Sequence, residues 1–221
     1  TAALAAANPN VLTMIYFPTG NYIFNSQITI TKSNVILKGA GPNYTKFTFN
    51  NATRTCITIE GSEVSTADIP IQAGATKGAT LLQLTNASSL SNNNLIEIRK
   101  DMDISQCTAP DTENPDCVNT LANHLYGQVV RVTSVNYTNN QITLSDGLSM
   151  DYSSSTFRVK KLLPVENVGI QDLFITETQF NDDLTDYTIF INKASGVWIS
   201  GVESYFARAY HFGVERSTRV E

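Results

Sequence analysis

The stretch GVESYFARAYHFGVERSTR, residues 201–219, gathers most of the side chains able to exchange a proton or grip an anion. Arg208 or His211 could serve as a base and Glu203 as an acid, since proton transfer needs a donor and an acceptor flanking the reacting bond. Tyr205 and Tyr210 offer flat apolar rings for a sugar, and Arg216 and Arg219 offer charge for an acidic one. The competing reading is bland: His211 satisfied by a neighbouring turn, and the arginines solvated.

Two further groups are acidic. QDLFITETQFNDDLTD contains the adjacent pair Asp182 and Asp183, oxygen donors that could hold Ca²⁺. They fall in a polar turn, where acidic residues are common in any case. DMDISQCTAPDTENPD places five carboxylates around Cys107 and Cys117. A disulfide between these two cysteines would staple the loop and imply an oxidising compartment; two unpaired thiols fit nearly as well. Cys56, in TCITIE, reads as a small buried apolar residue. The two histidines, His124 and His211, are too far apart in sequence to suggest zinc. No EF-hand, P-loop, dinucleotide fingerprint or Gly-x-Ser-x-Gly elbow occurs. Sequons at Asn43, Asn51, Asn86 and Asn136 permit N-glycosylation, at a frequency that chance explains in so Asn/Ser/Thr-rich a chain.

The elements that must hold these residues are short strands. Tyr22/Phe24, Ile28/Ile30 and Val35/Leu37 alternate with polar residues, the period of a strand with one buried face. The breaks, Asn25-Ser26 and Thr31–Asn34, are not the pairs that favour two-residue hairpins, so the chain is expected to wind in one direction with corners. Gly and Asn suit such corners because they tolerate left-handed backbone. TAALAAAN, stopped by Pro9, is expected to be a short capping helix. From residue 61 the strands lengthen: ATLLQL, NLIEIRK, GQVVRVTSVN, QITLS and TFRVKKLL suggest an inserted antiparallel module of five strands, residues 61–164. Coils therefore occupy 1–60 and 165–221. Within the second set, Val168/Val197, Ile170/Ile199 and Leu173/Val202 match at a spacing of 29, and IFINKAS overlays HFGVERS at 22, placing Phe190 over Phe212. Such periods without intervening helices mark a β-solenoid. Trp198, beside Ile199, is expected in its core.

Phe17, Pro18, Gly20, Tyr22, Leu37, Gly39, Gly41 and Thr45 stand at the positions of a Phe-Pro-x-Gly-x-Tyr turn and a Leu-x-Gly-x-Gly-(x)n-Thr coil, after an Ala-rich segment. In this the chain resembles the pectate-lyase superfamily of right-handed parallel β-helix proteins, and VENVGIQDLFI and SGVWISGVES continue the resemblance. It implies an all-β fold: a right-handed parallel β-helix, or solenoid, with a short N-terminal capping helix and an inserted small antiparallel β module. It implies function more loosely, because the fold serves lyases, glycosidases, epimerases, phage tailspikes and non-catalytic surface proteins.

The net charge of -5 and pI near 5.0 argue against nucleic acid as a partner, since phosphate binding needs a cationic face. No apolar run is long enough for a membrane helix. RSTRVE reads as the start of a further strand, so more chain or another copy is expected to cover that end. Two functions follow as expectations. One is a secreted or surface carbohydrate-active protein that cleaves an acidic or algal-type polysaccharide as lyase or glycoside hydrolase. The other is a non-catalytic structural or adhesive β-helix of a cell surface, virion or filament, assembling end to end.

Overall fold

The computed structural model describes residues 2–50, 55–100, 126–152, 157–178, 187–207 and 209–221. Arg208, Asp182, Asp183, Cys107, Cys117 and Asn51 lie outside the described residues. Among the described residues nearly all regular structure is β, with one short helix, Ala2–Ala6. The chain divides into two compact units, Thr1–Ser62 with Pro164–Glu221, and Glu63–Leu163.

In the first unit three strands make one coil. Thr13–Phe17, Gly20–Phe24 and Ile28–Ile30 form the first, and Val35–Gly39, Thr45–Phe49 and Ile57–Glu60 the second. Each strand pairs in parallel with its counterpart one coil on. In the third coil the first two strands fuse as Val165–Glu177, bent at Asp172 (φ 54°), followed by Tyr187–Asn192. The fourth repeats this with Ala194–Tyr205, bent at Gly201 (φ 62°), and Tyr210–Glu215; Thr218–Val220 begins a fifth. Inward residues stack as ladders, Val35–Val168–Val197–Val220 and Ile15–Leu37–Ile170–Ile199 among them. Both fill one elongated core, with Phe47, Phe49, Ile57 and Ile189 fully buried. At the fourth coil the ladder positions Phe212 and Val214 are about half exposed, 47% and 51%.

The motif residues build the first corner. Tyr22 donates its hydroxyl to Pro18 O at 3.1 Å, closing the Pro18-Thr19-Gly20 bend. The buried Thr45 hydroxyl receives Ala40 N at 2.8 Å and itself reaches the Phe17 and Pro18 carbonyls. A Cβ on Gly39 would stand 2.3 Å from Asp172 O, so the next coil fits only over glycine. The helix is held by Lys32, whose ammonium donates to the Ala5 and Ala7 carbonyls at its C-terminal end.

Three expectations are corrected. The second repeat spacing is 23, not 22: Ile189 pairs with Phe212, Phe190 with Gly213, and Ser195 with Thr218. A one-residue slip exchanges inward and outward faces, so the physically consistent register is the one that puts Phe212 in line with Ile189. The spacing of 29 stands as read. Trp198 is half-buried outside the core, its ring against Gly169, because Val197 and Ile199 already take the inward positions. The antiparallel module has six strands in a closed ring rather than five: Ile69–Ala73, Leu81–Leu84, Gln141–Leu144, Tyr126–Asn136, Leu95–Lys100 and Phe157–Leu163, the last returning to the first. Its interior is filled by Leu82, Ile96, Ile98, Val132, Ile142 and Val159. Against the barrel's outside, buried Arg99 holds Asp68 bidentately at 2.7 and 3.0 Å, and Lys160 reaches the same carboxylate at 3.1 Å.

Candidate functional site

The second strand of every coil turns one set of side chains outward, and parallel register aligns them in two columns. One is Asn21–Lys46–Phe174–Glu203, the other Ile23–Thr48–Thr176–Tyr205. The Lys46 ammonium lies 5.7 Å from the Phe174 ring centroid, a cation over an aromatic face. Phe174 and Tyr205 stand 6.1 Å apart at 34°, and Tyr205 meets Phe206 edge-on at 4.2 Å. Thr48 donates to Asn21 at 2.9 Å, fixing its amide. Among the described residues no carboxylate lies within ion-pair reach of Lys46. Lys46 and Glu203 sit two rungs apart, about 9.6 Å of backbone spacing. The result is an outward strip on which a cation, an aromatic ring and a carboxylate follow one another on successive coils.

The alternation that builds this strip separates two of the expected partners. Glu203 faces outward beside Phe174, whereas Ser204 joins the inward ladder Tyr22–Phe47–Ile175. Ser204, not Glu203, engages His211: Ser204 Oγ lies 2.8 Å from His211 Nδ1 and donates to the buried Thr188 Oγ1 at 2.9 Å. Tyr205 and Tyr210 are both half exposed, on either side of the connection between second and third strands. Tyr210 stacks on Tyr187 at 5.3 Å and Tyr187 on Phe190 at 5.0 Å, with Gly213 leaving room for the Tyr187 ring. Arg216 and Arg219 belong to the next corner and the first-strand column, in left-handed backbone (φ 45° and 55°), away from the strip's two columns. Inside the core Cys56 Sγ donates to Glu177 Oε1 at 3.2 Å, so this cysteine carries a polar contact that an apolar reading misses.

Of the sequons, Asn43, Asn86 and Asn136 are exposed. Asn86 and Asn136 use their side-chain oxygens to receive turn amides. Among the described residues no group of three or more His, Cys, Asp or Glu side chains converges as a metal site. No helix among them is long and apolar enough to cross a membrane. Lys46 and Phe174 escaped sequence reasoning. Outward alternation in TKFTF marks Lys46, but nothing local joins it to a ring 128 residues later.

No protein-family model and no curated protein matches the sequence. Solved structures do match by shape. The Gp54 tailspike of Acinetobacter baumannii bacteriophage AP22, solved in complex with A. baumannii capsular saccharide, superposes with a TM-score of 0.59 at 16% identity, over 92% of this chain and 32% of that one. The tailspike gp61 of Pseudomonas phage phi297 gives 0.60 at 14%, over 99% of this chain and 38% of its own. The tailspike gp49 of Pseudomonas phage LKA1 gives 0.58 at 15%, over 99% and 42%. The shared feature is the fold. This chain spans about two-fifths or less of those proteins' length.

Proposed function

We propose that this chain is the polysaccharide-binding part of a virion-associated, tailspike-like protein, built on a right-handed parallel β-helix of the pectate-lyase-like kind and acting outside the cell. The carrying observation is the outward strip Lys46–Phe174–Tyr205, continuous over three coils. Sugar rings stack their apolar faces on Phe174 and Tyr205, and an anionic group on the glycan meets Lys46. The likeness to a tailspike solved with capsular saccharide supports the same reading.

Cleavage as a lyase or hydrolase is the finer form of the proposal, with Glu203 as acid and His211 as base. Binding without cleavage is the second reading, favoured by the departure of Glu203 and Ser204–His211 to opposite sides of one strand. Calorimetry against a panel of acidic and neutral capsular polysaccharides tests the binding. Phe174→Ala and Tyr205→Ala are each expected to weaken it about tenfold, some 1.4 kcal/mol. A double variant that binds as well as the parent would remove the strip from consideration. Product analysis separates the chemistries: an unsaturated sugar end signals elimination, and a new reducing end without it signals hydrolysis.

A further inference from the structure

A hydroxyl has one proton to give. Ser204 gives it to Thr188 Oγ1, which is buried at 1% exposure on the neighbouring coil. With its hydrogen turned to Thr188, the same oxygen offers His211 only lone pairs, and the 2.8 Å contact is completed by a hydrogen on Nδ1 of the ring. In a neutral imidazole the second nitrogen is then the acceptor. His211 is exposed, and among the described residues none bonds its Nε2.

We infer that Thr188 and Ser204 are positioning residues that lock His211 in the Nδ1–H tautomer and present Nε2 as a proton acceptor. Tyr205 follows Ser204 in the chain and Tyr210 precedes His211, so aromatic side chains adjoin both members of this pair in sequence. Free histidine favours the opposite tautomer, so the surroundings must impose this one. The register explains how they do it. Thr188 and His211 occupy equivalent places on adjacent coils, one residue before Ile189 and Phe212, while Ser204 ends the inward ladder of the second strands. The stacking of coils thus sets the order Thr188, Ser204, His211. The acceptor role rests on the proposed glycan site; the tautomer can be read without any glycan.

Nitrogen-15 NMR of the ring at pH 8, above the ordinary histidine range near about 6.5, decides it. In the parent protein Nδ1 is expected at a protonated shift and Nε2 at a lone-pair shift. Ser204→Ala should return the ring to the Nε2–H form. Thr188→Val, which lets Ser204 turn its proton to Nδ1, should do the same while leaving Ser204 in place. A parent ring already in the Nε2–H form overturns the inference. So does an Nδ1–H ring that persists in both variants with their folds intact. Titration with a saccharide that calorimetry shows to bind should move Nε2 and leave Nδ1 nearly still. An unmoved Nε2 during such binding ends the acceptor role while sparing the glycan strip; absence of binding at all removes the strip and leaves the tautomer standing.

Discussion

Gly39 and Thr45 show how single residues set the spacing of the coils. Gly39→Ala would drive a methyl to 2.3 Å from the Asp172 carbonyl, a backbone atom that cannot turn aside. A loss of about 3 kcal/mol in urea denaturation is expected. Thr45→Val keeps the shape but strands Ala40 N, and about 1–3 kcal/mol should go with it. In the barrel, burial alone would raise the Asp68 carboxyl, but the hydrogen bonds and charges of Arg99 and Lys160 outweigh it and hold that carboxyl below its ordinary value. Its contribution to stability is thus complete above the unfolded value of about 3.9 and fades as pH falls through the lower folded one. Urea midpoints measured from pH 6 downward should drop below about pH 4 in the parent. Asp68→Asn should flatten that window, and an unchanged slope would contradict the linkage. At this scale the sequence was partly legible. Strand alternation shows that Glu203 and Tyr205 share a face, and that Ser204 does not. The Lys46–Phe174 contact and the Thr188–Ser204–His211 chain depend on neighbours in other coils, which no local pattern reveals.

Between elements, backbone handedness is stacked like the side chains are. Asn34, Asn167, Gly196 and Arg219 each stand one residue before a member of the valine ladder, and all take φ between 55° and 68°. Asn167 donates to the Asn34 amide oxygen at 3.1 Å, linking two rungs. Lys193 and Arg216 form a second such column at φ 51° and 45°. Left-handed backbone strains an ordinary side chain by about 1–2 kcal/mol. Arg216→Gly should therefore raise stability by up to about 1 kcal/mol despite losing its side chain, as thermal melting would show. Asn34 advertised its corner by type; Lys193, Phe206, Arg216 and Arg219 did not, because stacking rather than residue preference imposes their φ. The barrel strand Ile69–Ala73 was hidden by Pro70, because proline argues against a central strand. The slip from 22 to 23 arose because aligning identical residues, Phe190 with Phe212, outranked aligning inward ones.

At the level of the whole chain, the two core clusters share no residue. Scanning calorimetry is expected to resolve two transitions, and bridging residues 62 and 164 with a short Gly-Ser segment should leave polysaccharide binding intact. A single cooperative transition would contradict two independent units. The coil period was visible because inward valines and isoleucines repeat; the closed ring was not, since closure depends on the pairing of Leu95–Lys100 with Phe157–Leu163, strands far apart in sequence. The unequal periods have one source. Thr176 lies beside Tyr205, 29 residues on, and Tyr187 beside Tyr210, 23 on, so the whole difference falls in the connection between second and third strands. That connection is where Tyr205, Phe206, Tyr210 and His211 gather. A lineage can lengthen or exchange it without disturbing a single rung, so under the proposed glycan role the contact surface can vary while the scaffold stays fixed.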